Sequence, residues 1–308
     1  MATFILHSAA ILLFFSALRY VTGFWLFSFI YSFQTHISIL VALVCVPFLI
    51  ARKRPGLAIP LFIAAIGLGV HSLYLKGYFQ PSPDIAAGTP EFHLLEFNVL
   101  GDNTEGAAEI AALLESADID AAVILESGPL APYLDRLSER FPYRLGCGEG
   151  TDTCDLMILS RYPLENTRVD NLSDLRRHRF ARAELEIDGK RLTLVAAHLT
   201  KPYFDDYHTE ELSVLGRRLS RLKGPLVLAG DFNSSILAPD MTRFVKHSGL
   251  NTFHGEPATW PVELDRFGIG IDHVFAREPL EVTSLVPLDD NYGSNHYGLR
   301  ATIALTQN

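Results

Sequence analysis

The first 80 residues contain no Asp or Glu, and that absence narrows what they can fold into. Three apolar runs, at about 3–18, 37–51 and 57–75, fill most of this stretch, and its only cations are Arg19, Arg52, Lys53, Arg54 and Lys76. A helix that crosses a bilayer needs roughly 20 apolar residues, with a lower limit near 17. The third run meets that length and the first two reach it with their flanks. Residues 1–78 are therefore expected to form a three-helix transmembrane anchor. A cleaved signal peptide competes for residues 1–20, but no basic residue precedes the apolar run and two more runs follow it. A buried helical hairpin of a soluble protein is the other alternative. Tyr20 to Ser32, rich in Phe, Trp and Tyr, reads either as an interfacial aromatic segment or as a continuation of the first helix. The cluster Arg52-Lys53-Arg54 lies in the tight loop between the second and third runs. Positive loops stay cytoplasmic, so three spans put the N-terminus inside and everything after residue 78 outside. Arg19, on the outer side, opposes this only slightly.

The remainder is a different kind of chain. Residues 81–308 carry all 35 acidic groups against 21 of the 26 basic ones, a net of −14. Such a surface is a poor non-specific binder of nucleic acid, although it leaves room for a nuclease that brings divalent cations to the phosphate. Of the three cysteines, Cys45 sits within the second apolar run as a small filler. Cys147 and Cys154 bracket a glycine-rich loop. An oxidising compartment would join them as a disulfide; otherwise they are two unrelated thiols. Nearby ligands for a zinc site are missing.

Residues 79–91 form a Pro-punctuated linker. After it, strand and helix patterns alternate. Strands are expected at Phe92–Val99, Ala121–Leu125, Leu156–Ser160, Ala181–Ile187, Leu192–Ala197, Leu226–Ala229, Gly270–Phe275 and Leu299–Ala304. Helices are expected at Gly106–Ser116, Glu210–Leu222 and near Pro239–Ser248. This order argues for an α/β domain over 92–308, two packed sheets with helices outside. At the end of Leu226–Ala229, Gly230 is expected to turn the backbone, and Asp231 and Asn233 follow two apart. Residues i and i+2 of an extended chain face one side, so a carboxylate and an amide converge, a pairing suited to a hard cation or a phosphate oxygen. An Asx turn uses the same residues. Polar groups recur at the other strand ends: Asn98, Glu126, His198, Asp272, and the pair Asn295-His296 just before the last strand. Six such junctions are hard to attribute to independent turns.

In this order the segments Phe97-Asn98-Val99, Ile124-Leu125-Glu126-Ser127, Leu159-Ser160-Arg161-Tyr162-Pro163, Ala197-His198-Leu199, Gly230-Asp231-Phe232-Asn233, Ile271-Asp272-His273 and Gly293-Ser294-Asn295-His296 resemble the endonuclease/exonuclease/phosphatase superfamily, whose fold is that of deoxyribonuclease I. The likeness spans about residues 92–304. Thr259-Trp260-Pro261 and the preceding spans look like a bacterial membrane-anchored branch of it. The resemblance implies a four-layered α-β-β-α sandwich behind an all-α transmembrane region. It implies a hydrolase of phosphoesters using Mg²⁺ or Mn²⁺, held by Glu126 with Asn98 and Asn295. Asp231 would orient or deprotonate the attacking water, and Asn233 would steady the phosphate or the metal-bound water. His296 would act as general acid or base with Asp272 fixing its tautomer, and His198 would donate to a phosphate oxygen. It further implies a multi-pass protein of the bacterial inner (plasma) membrane with the catalytic domain on the periplasmic or outer side. The family pattern has Asp where this chain has Asn295, which removes a negative charge from the site. The expected partners are the lipid bilayer, through the N-terminal helices, and a phosphomonoester or phosphodiester, with a lipid phosphoester favoured over nucleic acid. The alternatives are an extracytoplasmic nuclease and a non-catalytic, membrane-tethered binder of a phosphorylated ligand. Arg176-Arg177-His178-Arg179 could grip phosphate or be a solvated loop. His208 could belong to a substrate-side loop or a polar turn, and His254 and His273 read as structural.

Overall fold

The computed structural model describes residues 2–81 and 84–306. The apolar runs form helices α1 (Ala2–Ala17), α3 (Gln34–Ile50) and α4 (Pro55–Leu75), packed together through Leu6, Leu13, Val41, Ala65 and Leu68. Two helices, over Thr3–Tyr20 and Pro55–Leu75, are long and apolar enough to cross a membrane. A third span results if Trp25–Ser32 and Gln34–Ile50, bent by 61° at Phe33, count as one. The aromatic segment does not continue the first helix. It breaks after Tyr20 and reforms as a 3-10 turn followed by the short helix α2 (Ser28–Ser32).

After the linker come two six-stranded mixed sheets, packed face to face. The first is ordered β11 (Glu281–Pro287), β12 (Leu299–Ala304), β1 (Glu91–Asn98), β2 (Ala121–Leu125), β4 (Leu156–Ser160), β3 (Tyr143–Leu145), and the second β5 (Glu165–Asp170), β6 (Phe180–Ile187), β7 (Lys190–His198), β8 (Leu226–Asp231), β10 (Asp272–Arg277), β9 (Leu250–Asn251). The strands nearest the site are β1 (Glu91–Asn98), β2 (Ala121–Leu125), β7 (Lys190–His198), β8 (Leu226–Asp231) and β10 (Asp272–Arg277). Helix α5 (Ala107–Ser116) covers the outer face of the first sheet; α7 (Tyr207–Leu219) and α8 (Pro239–His247) cover that of the second. The layers are thus α-β-β-α, as the resemblance implied. Three strands at Tyr143–Leu145, Glu165–Asp170 and Glu281–Pro287, with the two-residue Leu250–Asn251, add to those expected. Glu165–Asp170 is largely exposed and Tyr143–Leu145 is short, so neither leaves a strong apolar pattern.

The inter-sheet core explains where the polar groups end up. Along each central strand alternate residues point into it: Phe92 and Leu94 on β1, Leu192, Leu194 and Ala196 on β7, Val227 and Ala229 on β8, Val274 and Ala276 on β10. Continuing each alternation to the same end of the sandwich gives Glu96 and Asn98, His198, Asp231 and Asp272. The hydrophobic period that packs the sheets therefore also aims these side chains inward, at one edge.

Gly230 does not turn the chain. It stays inside β8, paired with His273 and following the parallel partner Ala197 of β7, at φ 149°. A Cβ there would lie 1.8 Å from the carbonyl oxygen of Ala197. Glycine is required by close approach of two backbones.

The N-terminal helices and the sandwich interlock. Tyr31 of α2 is fully buried in the layer between the second sheet and its helices. Arg19 donates to Gln34 (2.6 Å) and to Thr242 of α8 (3.5 Å). Lys76, just past α4, pairs with buried Glu256 at 2.9 Å, and Glu256 in turn accepts from Ser235 and Ile236. Cys147 and Cys154 are joined as a disulfide.

Gly230→Ala should cost at least about 4 kcal/mol, since both the backbone conformation and the space exclude a methyl. Thermal unfolding of the detergent-solubilised protein should shift down by about 10 °C or more; a shift within a few degrees would show that the β7–β8 contact is not as tight as described.

Candidate active site

Register places the central groups side by side. Asp272 of β10 lies opposite Asp231 of β8, and Asp231 opposite His198 of β7. Facing them from the other sheet are Asn98 and Glu96 of β1. Asn98 Nδ2 donates to Asp231 Oδ2 at 3.0 Å and lies 3.4 Å from Glu126 Oε1, so one amide bridges the two sheets. Glu126 follows β2 at φ 53°, which a non-glycine residue adopts only when its surroundings enforce it. The backbone N–H of Gly101 holds its Oε2 at 2.7 Å.

Asp231 is the hub. Its Oδ1 accepts the backbone N–H of Asn233 at 2.7 Å, so this is also an Asx turn. The turn and the site are the same structure. Asn233 Nδ2 donates to the carbonyl of Leu199 (2.9 Å), tying the segment to the end of β7. The Nε2 atoms of His198 and His296 lie 3.7 and 4.0 Å from Asp231 Oδ2. Each histidine has a carboxylate on its other nitrogen: Asp272 for His296 at 2.8 Å and Asp155 for His198 at 2.9 Å. Such a pairing fixes the Nδ1–H tautomer and leaves Nε2 facing the site.

Charge follows from burial. Asp231 is raised above the ordinary carboxylate range by burial first and by the neighbouring Asp272 second, with the two histidines opposing. Burial also disfavours charge on His296, but the Asp272, Asp231 and Glu126 carboxylates outweigh it and hold its pKa up at about 9. For Asp155, burial pushes upward, yet His198 and Arg179 hold it well below the usual range. Glu96 is fully buried, neither oxygen has a hydrogen-bond partner, and burial with the Asp272 and Asp231 charges raises it strongly. Asp272 Oδ1 and Asn295 Oδ1 are likewise buried without partners. Asp231, Asp272 and His296 offer ligand atoms within 4.8 Å of one another.

An oxygen-rich set with unsatisfied buried acceptors is the donor chemistry of a hard divalent cation. Since His296 and Asp272 are engaged with each other, the residues that could hold one are Glu126 and Asn98, with Asp231 beside them. Asn295 lines the cleft with His296 and Ile271, and its buried Oδ1 has no hydrogen-bond partner. A larger hollow of about 450 Å³, lined by Phe141, Tyr143, Arg144 and Leu164, lies elsewhere and contains none of these groups.

A model of the Endonuclease/Exonuclease/phosphatase family matches residues 95–296, two thirds of the chain and every residue just described. The chain belongs to this family. Among solved structures it is similar to sphingomyelinase C from Streptomyces griseocarneus (16% identity, TM-score 0.53, covering 70% of this chain and 99% of that one). It is similar to D. rerio TDP2 complexed with a single-strand DNA product (16%, TM-score 0.56, 69% and 98%). A mutant beta toxin from Staphylococcus aureus with bound magnesium ions also aligns (14%, TM-score 0.52, 69% and 99%). At these identities the likeness is one of fold. No curated protein matches the chain by sequence.

Several supporting residues of this family member escaped the sequence reading. Glu96 sits two before Asn98 on the inward face and could have been found by continuing the strand alternation. Asp155 follows Cys154, and only the fold brings it to His198. The basic cluster does not line the cleft: Arg179 donates to Asp155 (2.5 Å), Arg177 pairs with Asp152, and His178 contacts Thr151, so it braces the disulfide loop. His208 is buried under β8, between Asp240 (3.0 Å) and the carbonyl of Phe232 (2.8 Å). His273 reaches the Ser234 carbonyl, and His254 stacks on Phe253, both structural as expected. Ser294 accepts from the backbone N–H of His296 and donates to the Asn98 carbonyl, which joins the last loop to β1.

Because the folded pKa of His296 is raised from 6.5 to about 9, its charge stabilises the fold fully below pH 6.5. That contribution is lost as pH rises through 9. In EDTA-treated protein the unfolding free energy should fall by about 3 kcal/mol across this window. The fall should disappear in His296→Asn; an equal fall in that variant would assign it to other groups.

Proposed function

We propose that this protein is a membrane-anchored, divalent-metal-dependent phosphoesterase, working outside the cytoplasm. The observation that carries it is the Asp272–His296 pair facing Asp231, with Asn98 bridging Asp231 to Glu126, in a chain of a family whose members hydrolyse phosphoesters. Mg²⁺ or Mn²⁺ held by Glu126 and Asn98, with Asn295 as a neutral contributor, would offset negative charge on the phosphate.

The chain's own groups divide the proton work. Asp231, its basicity raised by burial and by Asp272, takes a proton from the attacking water. The water oxygen forms the new bond to phosphorus as the bond to the alcohol oxygen breaks. His296, protonated at neutral pH when its pKa is near 9, gives its Nε2 proton to the leaving oxygen. The proton on Asp231 then returns to His296 across the 4.0 Å gap, leaving alcohol and phosphate. Asn233 and His198 steady phosphate oxygens as charge builds there. Asp155 and Asp272 are positioning residues for the two imidazoles.

The outward placement rests on the helices. Arg52-Lys53-Arg54 lies at the α3–α4 turn, whereas the α1–α3 connection and Lys76 at the other helix ends touch the sandwich. With the basic turn cytoplasmic, the catalytic domain is outside. A disulfide between Cys147 and Cys154 suits that side.

With Mg²⁺, the purified protein should hydrolyse bis-p-nitrophenyl phosphate, and EDTA should abolish turnover. Asp231→Ala should lower kcat by about 10²–10⁴, the usual range for a general base. Turnover that survives EDTA, or that Asp231→Ala leaves intact, would sink this reading.

A further inference from the structure

The anchor does more than tether the sandwich: its aromatic segment forms a wall of the cleft that opens on His296. Phe29 of α2 faces Tyr203, from the loop after β7, at 6.0 Å between ring centroids, and Trp260 and Ile269 line the same cleft. Asn233 and His296 also line it, and Lys201 adds a cation. The wall is fixed in place. Tyr31 is buried in the sandwich, the Ser32 hydroxyl accepts the Ser235 N–H at 3.4 Å, and His36 reaches the Phe267 carbonyl at 2.9 Å.

The outer rim is apolar and exposed. Phe24, Leu26 and Phe29 are 47, 53 and 45% exposed, and Phe204, next to Tyr203, and Phe267, whose carbonyl His36 reaches, are 69 and 64% exposed. Tyr203 and Phe204 meet at 4.8 Å between ring centroids, tilted by 55°, and Tyr203 in turn meets Phe29, so rings of the N-terminal segment and of the sandwich are in contact beside the cleft. Apolar surface of this extent is costly in water, but aromatic rings at the ends of spanning helices belong at the headgroup level of a bilayer. The space inside the cleft is tight, about 30 Å³, room for a water or two. It cannot take in an acyl chain, so selection falls to the rim.

We infer that this rim, half of it supplied by the membrane anchor, is the subsite for the apolar side of a bilayer phospholipid, which presents its phosphoester to Asn233 and His296 while its chains stay in the membrane. The inference rests on the phosphoesterase reading above and adds the substrate class and the residues that choose it. Long polyanions are disfavoured by the chain beyond residue 80 as a whole, whose net charge is −14.

The test compares kcat/KM of the full-length protein, with Mg²⁺, on phosphatidylglycerol in mixed micelles, on single-strand DNA and on bis-p-nitrophenyl phosphate. Wild type should prefer phosphatidylglycerol to DNA. Phe29→Ala should lose at least about ten-fold more on the micellar lipid than on the small diester, as expected when one aromatic contact of about 1.4 kcal/mol or more is removed. Phe204→Ser, whose ring is mostly in solvent and which should fold normally, should show the same split. Equal losses on both substrates in both variants, or a wild type that cleaves the small diester and DNA but not phospholipid, would overturn the subsite while leaving the phosphoesterase reading standing. A wild type inactive on all three would remove that reading and the subsite with it.

Discussion

The structure turns on the burial of negative charge at one end of the space between two sheets. Asp231, Asp272 and Glu96 are all almost wholly out of solvent, and Glu126 lies beside them, one amide away. Like charges in a poorly polarisable interior repel strongly. The fold answers this with two imidazoles, the Asn98 amide and the backbone N–H groups of Gly101 and Asn233. These do not satisfy every oxygen: Asp272 Oδ1 and both oxygens of Glu96 remain without partners. Those open acceptors are what the proposed cation would offset, and the raised His296 pKa is the same excess of negative charge seen from the imidazole side.

The second dependence is mechanical. The strand alternation that packs Leu94, Ala196, Ala229 and Val274 against one another also sets the direction of Glu96, His198, Asp231 and Asp272. Gly230 lets β8 approach β7 closely enough for Asp231 to stand level with His198. On the outside, the Lys76–Glu256 pair and Tyr31 fasten the anchor to the loop that follows Asn233. The N-terminal helices and the edge that carries Asp231 therefore share a boundary, so the environment of the helix ends is also the environment of the cleft.

Much of this was legible in the sequence. The strand-end positions of Asn98, Glu126, His198, Asp231, Asp272 and His296 could be read because core strands leave dense apolar runs and their polar ends stand out. The three apolar runs emerged as α1, α3 and α4 for the same reason. Gly230 was misread as a turn, because a glycine demanded by a neighbouring backbone looks the same as one demanded by φ. Asp155 was invisible, since its role depends on a strand 43 residues away. The buried Tyr31 and the aromatic wall were hidden too: an aromatic segment next to a membrane helix has an obvious partner in lipid, and nothing local says that one face meets protein.

The most direct test of the account is whether the buried carboxylates bind a divalent cation as a unit. Thermal unfolding of the solubilised protein should be followed with increasing Mn²⁺ after EDTA treatment. Wild type should gain stability with cation concentration, by about 2.7 kcal/mol at a hundred times the dissociation constant, and Glu126→Gln should gain much less. No stabilisation of wild type, or an equal gain in Glu126→Gln, would contradict a cation site at the end of the two-sheet core.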